Sequence, residues 1–284
     1  MSICMVTGNE GYIGSHLEAR LKTLGHKVIP WDIKSGSDIR RLAAEFQTWG
    51  KHIKIEYLFH LAAKPRVEYS ILKPSDALSH NVHGTSSVLE FAHKTGVKRV
   101  IFSSSSAVYG DGRGPLNPYG LHKLMSEMEC KHYSQQFNLP TVCLRYFNVY
   151  SEDQRVDGPY STVIANWMER IRNGKDLIIN GDGTIGRDYV HVNDVVEANI
   201  VAMECDLPEN HHLTTDVGTA KVYTLNDIKE IILEVIPDSR FRNDPPRMGD
   251  PKMTKATLSP LVSFPWSAKI PFDKGCRECF SRLK

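Results

Sequence analysis

No apolar run in the sequence approaches the ~18–20 residues that a bilayer-crossing helix needs. A spanning segment is therefore excluded, and since no charged stretch leading into a hydrophobic core opens the chain, neither a signal segment nor a membrane partner is expected. An excess of one charge is missing too. Lys plus Arg number 35 against 33 Asp plus Glu, a net +2, which supplies no broad positive field for nucleic acid, so any phosphate recognition must be local. Cysteine is sparse: Cys4, Cys130, Cys143, Cys205, Cys276 and Cys279 are scattered through 284 residues. That usage fits reduced thiols and a cytoplasmic setting rather than a disulfide framework. Cys276 and Cys279 form a CxxC without a second ligand pair, and His191, His211 and His212 lack HExxH or paired Cys/His spacing, so no metal is expected. Internal repeats and low-complexity segments are absent as well.

What is present is an alternation. Ile3-Cys4-Met5-Val6 is a short apolar run ended by Thr7-Gly8, followed by a helical pattern with Ile13, Leu17 and Leu21 on one face. His26–Asp32, Tyr57–Leu61, Val97–Ser103 and Thr141–Tyr146 read as further strands, with helices around Arg41–Trp49, Asn81–Thr95 and Pro118–Phe137 between them. Buried strands alternating with helices imply an α/β fold, a doubly wound parallel sheet of Rossmann type. Beyond Asn148 the texture changes to short elements punctuated by Gly158-Pro159, Gly181-Asp182-Gly183 and Pro245-Pro246. The expected organisation is a nucleotide-binding domain over 1–150 and a smaller substrate-binding lobe over 151–284, with some segments returning to the sheet.

Thr7-Gly8-Asn9-Glu10-Gly11-Tyr12-Ile13-Gly14 places glycines at GxxGxxG spacing where the first strand turns into the first helix. Glycine permits backbone conformations and close approaches that a Cβ forbids, and the helix N-terminus then faces a pyrophosphate. Asp32 ends the second strand, where a carboxylate can accept hydrogen bonds from ribose hydroxyls. It would repel a ribose 2′-phosphate, favouring NAD over NADP, although Lys34 close by weakens that exclusion.

Tyr119 and Lys123 stand four residues apart at the start of a helix, on one face. A phenol titrates near ~10, too high for a base at neutral pH; an ammonium and the positive ring of an oxidised nicotinamide stabilise its phenolate. Ser103-Ser104-Ser105-Ser106 ends a strand at the same sheet edge, where one hydroxyl could hold the reacting oxygen. Spacing alone does not choose among the four.

Taken with His60–Ala63 (HLAA), Ser103–Gly110 (SSSSAVYG), Arg145–Tyr150 (RYFNVY) and Gly181–Asp194 (GDGTIGRDYVHVND), these motifs resemble the extended short-chain dehydrogenase/reductases, and among them the nucleotide-sugar 4-epimerases with their dehydratase and decarboxylase relatives. The resemblance selects Ser105 as the third catalytic residue beside Tyr119 and Lys123. It implies cofactor contacts from Gly8, Asn9, Gly11, Tyr12, Ile13, Gly14, Asp32, Asp38, Ile39, Leu61, Ala62, Ala63, Asn81, Ser103 and Tyr146, besides Tyr119 and Lys123. For a nucleotide-diphosphate-sugar substrate it implies Ser105, Asn148, Ser161, Arg187 and Arg247, the two guanidiniums gripping phosphate oxygens bidentately.

Family dehydratases and decarboxylases usually carry an acidic residue just after this serine; here Ser106-Ala107 follows. The resemblance thus implies an NAD-dependent 4-epimerase, most simply of a UDP-hexose, working through a transient 4-keto sugar with tightly held, recycled NAD. An NAD(P)-dependent reductase or dehydratase of a nucleotide sugar is the alternative, and a non-catalytic dinucleotide sensor a more distant one. Eight residues separate Gly110 from Tyr119, a shorter loop than the family's usual one, and His122 replaces the usual small residue before the lysine. A homodimer is expected, built by packing Asn81–Thr95 and Tyr119–Phe137 of each subunit into a four-helix bundle.

Overall fold

The computed structural model describes residues 1–49, 54–154, 156, 162–208, 210–246, 252–258 and 264–283. The chain begins β1 (Ile3–Thr7), α1 (Tyr12–Thr23), β2 (Lys27–Trp31), α2 (Leu42–Trp49), β3 (Tyr57–His60), α3 (Val67–Leu72), α4 (Pro74–Leu78), α5 (Gly84–Thr95), β4 (Arg99–Ser105), α6 (Pro118–Phe137) and β5 (Thr141–Tyr146). It continues with β6 (Asn148–Tyr150), α7 (Val163–Arg172), β7 (Leu177–Asn180), β8 (Gly186–Arg187), β9 (Tyr189–His191), α8 (Val192–Glu204) and β10 (His212–Val217). Last come β11 (Tyr223–Thr224), α9 (Leu225–Val235), β12 (Phe241–Asp244), β13 (Met253–Thr254) and α10 (Phe272–Ser281).

The described residues fall into two compact units. Met1–Arg145, Val196–Thr215 and 264–266 make the first. Its sheet has six strands in the order β10-β5-β4-β3-β1-β2, with β1 parallel to β2 and β3, and β3 parallel to β4. This is the doubly wound parallel sheet that the alternation predicts. Its inner strands β1, β3, β4 and β5 are buried on both faces, as continuous apolar runs such as Cys4-Met5-Val6 require, while the edge strands β2 and β10 are partly exposed. From β1 the chain first crosses to β2 and then returns to pair β3 on the opposite side, so the strand order reverses at β1. In such sheets a crevice opens at the carboxyl ends of the strands beside the reversal, here at Thr7 and His60, which are register partners.

Two details differ from the periodicity. The helix expected from Asn81 is preceded by a π-helical turn, Ser79–His83, closed by the Gly84 N–H donating to the Ser79 carbonyl, and regular α5 starts only at Gly84. α6 has the predicted bounds, but its inward face is polar: His122, Lys123, Ser126, Glu127, Cys130 and Ser134 are buried, while Leu121 and Met128 are 47% and 65% exposed. Hydrogen bonds and an ion pair, rather than apolar packing, hold the inside of this helix.

Tyr146–Val195, Asp216–Leu258 and Ser267–Lys284 supply the second unit. Its core gathers Trp167, Met168, Tyr189, Ile228, Ile232, Phe272 and Phe280. Small sheets β11-β8-β13, β12-β7 and β6-β9 surround it. Buried Asp188 ties its loops together by accepting from the backbone N–H groups of Thr219, Ala220 and Ala256. Cys276 and Cys279 are buried on α10, where burial raises both thiols, Cys279 to about 12, and keeps them inert.

Candidate active site

The turn after β1 is built by what its glycines lack. Gly8 has φ +76°, and a Cβ there would stand 2.6 Å from the Ala62 nitrogen at the end of β3. A Cβ on Gly14 would stand 2.0 Å from the Gly8 carbonyl oxygen. The Gly11 N–H closes the turn on that same oxygen at 3.0 Å. No side chain caps α1 at Gly11, so its positive end is left for an anion. Tyr12 and Ile13 form its first turn. Asn9 is turned the other way, its amide donating to Glu18 at 2.9 Å.

Asp32 is buried at 6% exposure. Its oxygens accept from the Glu10 N–H (3.0 Å) and the Lys34 N–H (2.9 Å), which fix the carboxylate against the glycine turn with lone pairs to spare. The Lys34 ammonium is drawn to the Glu10 carbonyl at 3.0 Å. Asp38 caps the turn beginning at Ile39 and is held by Arg40 in an ion pair of 2.5 Å that lowers its carboxyl below the usual range. Ile39 is buried against the α-carbon of Gly84, where a Cβ would come within 2.6 Å of it.

Beneath Leu61-Ala62-Ala63 runs a buried hydrogen-bonded chain. Thr85 Oγ1 donates to the Asn81 carbonyl (2.6 Å), so at its 3.0 Å contact with His60 it must accept, and the His60 Nε2 carries the proton. His60 Nδ1 then accepts from Thr7 Oγ1 (2.8 Å), which in turn accepts from the Ala62 N–H (3.3 Å). Burial, reinforced by the Lys123 charge, pushes His60 down to about 3 and keeps it neutral. The Asn81 side chain clasps the Lys64 backbone through both its amide ends, at 2.7 and 3.1 Å.

α6 brings Tyr119 and Lys123 to the end of β4. Asn117 caps the helix on the Gly120 N–H. The Tyr119 phenol hydrogen-bonds Ser105, whose hydroxyl also accepts from the Ala107 N–H at 3.2 Å. Burial raises the phenol's pKa and the Ser105 bond opposes the rise. Lys123 donates to the Ser103 carbonyl at 2.6 Å, and its ammonium lies 5.9 Å from the Tyr119 ring centre and 4.6 Å from that of Phe102. Burial pushes it down to about 8. His122 is also buried, with Nδ1 lacking a partner among the described residues. Between Tyr109 and α6 the chain doubles back: Gly110 pairs with Gly114, and a Cβ on Gly110 would stand 2.0 Å from the Gly114 oxygen.

In the second unit, Tyr146 is buried. Asn148 Nδ2 donates to the Asp188 carbonyl at 2.7 Å, and Arg187 donates to the Gly186 carbonyl at 2.7 Å. Ser161 and Arg247 lie outside the described residues. Sequence reasoning gave His60, Thr85, Ser70, Glu127 and Arg145 no role; each is hydrogen-bonded to a partner distant in sequence, and no local spacing announces them.

The chain and its fold are matched by known proteins. Residues 4–214 fit the model of the NAD dependent epimerase/dehydratase family. The chain belongs to that family. As a member of it, the chain is 30% identical to the UDP-glucose 4-epimerase of Thermotoga maritima, solved with UDP-glucose, with a TM-score of 0.88 over 97% of this chain and 96% of that one. It is 28% identical to a putative UDP-glucose 4-epimerase of Methanocaldococcus jannaschii over 99% of this chain and 98% of the relative. It is also 32% identical, over 71% of both, to a UDP-N-acetyl-alpha-D-glucosaminuronate decarboxylase of Bacillus cytotoxicus.

Proposed function

We propose that this family member is an NAD-dependent epimerase that inverts C4 of a nucleotide-diphosphate sugar, a UDP-hexose first. The observation that carries the choice of reaction is the state of the carboxylate next along the catalytic helix. Glu127 is 5% exposed and committed to Arg145 and Ser104, while Ser106 and Ala107 follow Ser105. Dehydration or decarboxylation calls for proton transfer beyond the hydride step, whereas C4 inversion does not. Relatives named as UDP-glucose 4-epimerases support the reading, and the decarboxylase relative supplies the alternative.

The residues present fit NAD. The Gly8–Gly14 turn leaves space where any Cβ would intrude, α1 offers an uncapped N-terminus, and Asp32 is fixed for a diol. Asn81 would hold the sheet edge, and Asp38, Ile39, Leu61, Ala62, Ala63, Ser103 and Tyr146 would complete the cradle. Bound there, NAD supplies a hydride acceptor that is also the donor for the return. Ser105 orients the C4 hydroxyl, Tyr119 takes its proton, and Lys123 favours the phenolate electrostatically. Asn148, Ser161, Arg187 and Arg247 would hold the diphosphate while the sugar turns over.

The test is incubation of the protein as purified with UDP-, GDP-, dTDP- and CDP-sugars, followed by NMR of the ring protons. A C4 epimer formed without added cofactor is expected; absolute dependence on external NAD(P)H would replace the reading with a reductase. We also place the protein in the cytoplasm as a homodimer through α5 and α6, supported by the outward Leu121 and Met128. Met128→Glu should then yield monomers in sedimentation, and an unchanged dimer would move the interface elsewhere. Among the described residues no helix is long and apolar enough to cross a membrane.

A further inference from the structure

Three residues of α6 one helical turn apart each hold one residue of the serine run that ends β4. Tyr119 bonds the Ser105 hydroxyl, Lys123 the Ser103 carbonyl at 2.6 Å, and Glu127 the Ser104 hydroxyl at 2.5 Å. The catalytic pair is thus two thirds of a longer stripe, whose third member is a buried carboxylate. Arg145, on the neighbouring strand β5, grips it with both prongs, Nε to Oε1 at 2.8 Å and Nη2 to Oε2 at 2.6 Å. The third guanidinium nitrogen donates to the Tyr109 hydroxyl at 2.7 Å, with the guanidinium carbon 4.8 Å from the centre of that ring.

We propose that Glu127 is an electrostatic positioning residue for the reaction: its carboxylate keeps the Lys123 ammonium charged against Tyr119, and Arg145 moderates that effect by sharing the carboxylate. A buried ammonium unaided by a counter-charge tends to lose its proton. Burial is the leading influence on Lys123 and lowers it, and Glu127 is the first that opposes the fall. The other groups facing the stripe do not substitute for it. His60, from β3, is held neutral near 3, and His212, from β10, is pushed by burial to about 4 and is bonded between Thr141 and Thr214. The Cys143 thiol from β5, bonded to Cys130, is raised well above its ordinary range and stays uncharged. Lys131 is exposed, and with Arg145 it adds positive charge. Among these groups, Glu127 is the carboxylate, salt-bridged to Arg145 at 2.6 Å.

The sign follows. Replacing Glu127 by Gln removes the support and leaves Arg145 unbalanced, so the Lys123 midpoint falls; replacing Arg145 by Met frees the carboxylate's full field and raises it. A pair that served only as a structural strut would lower activity in both variants without moving the midpoint in opposite directions. The inference deepens the epimerase reading and rests on it for its catalytic meaning, yet it is tested without substrate. In the NAD-loaded protein labelled with 13C at the lysine ε-carbon, the Lys123 resonance, assigned with Lys123→Met, is followed against pH. Glu127→Gln should lower its midpoint by about one pH unit or more, and Arg145→Met should raise it. The alkaline limb of kcat for C4 inversion should shift in the same directions. Should Glu127→Gln not fold, Glu127→Asp, which retracts the charge by one methylene, should shift the midpoint downward by less. Midpoints that stay in place, or move together in one direction, overturn the proposal. Shifted midpoints in a protein that inverts no sugar would leave it standing and remove the epimerase reading instead.

Discussion

The Ser70 hydroxyl, within the short helix α3 and 49 positions earlier, accepts a hydrogen bond from the backbone N–H of Tyr119 at 3.1 Å. The first N–H groups of a helix have no partner within it, and Ser70, fully buried and donating in turn to the Val67 carbonyl at 2.6 Å, supplies one. Ser70→Ala leaves that donor unsatisfied and should cost about 1–3 kcal/mol of stability. Since it also loosens Tyr119, the proposed base, kcat should fall at least about tenfold with NAD affinity unchanged. Urea unfolding, kinetics and a cofactor titration check the three parts, and a proportional loss of NAD binding would assign Ser70 to the cofactor site.

Tyr119→Phe deletes one hydroxyl and little packing. Turnover should drop by roughly two to four orders of magnitude while NAD stays bound. Activity within tenfold of the native protein would show that another group takes the proton.

Gly14→Ala forces a methyl to within 2.0 Å of the Gly8 oxygen, so the turn must open and NAD binding should be lost. Gly25→Ala is the control: its φ of +81° makes any side chain strained, but nothing lies within 4 Å, so stability should suffer and cofactor affinity should not. Asp32→Asn should weaken NAD and narrow its advantage over NADP, with Lys34 alongside to receive the phosphate. Calorimetric titration of both cofactors decides it.

Acid sensitivity follows from His60 and His212. Their folded pKa values, about 3 and about 4, lie below the ordinary 6.5. The unfolded chain therefore binds protons that the folded one refuses, and stability falls as pH drops below 6.5 toward 4. The slope is at most about 1.4 kcal/mol per pH unit for each histidine. His212→Asn should flatten the curve of unfolding free energy between pH 6 and pH 4; a slope equal to that of the native protein would mean that His212 titrates normally.

The parts of the site that the sequence made legible are those written within a few residues of each other. Gly8, Gly11 and Gly14 mark one turn, and Tyr119 and Lys123 one helical face. Spacing could not choose among four serines, because the choice lies in the twist that carries Ser105 to the phenol while turning Ser104 toward Glu127. Nor could it foresee which face of α6 is buried: helical spacing groups Leu121, Leu124, Met128 and Tyr133 on one face, yet Leu121 and Met128 are exposed while ion pairs and hydrogen bonds to β4 and β5 prevail inside. Ser70, His60 and Arg145 stayed hidden because their partners are brought to them by the fold alone. The π-helical turn before α5 has no residue signature either; within it Asn81 bonds the distant Lys64 backbone.

The loop before α6 has a consequence for reach. Bridged from Gly110 to Gly114, its first five residues add bulk without span, and only Pro115, Leu116 and Asn117 remain before the helix. Three residues fully extended cover roughly 10 Å. So short a segment leaves little slack between the Gly110–Gly114 bridge and the Tyr119 end of α6, and the backbone of that helical turn is tied to the end of β4 by connectivity as well as by hydrogen bonds.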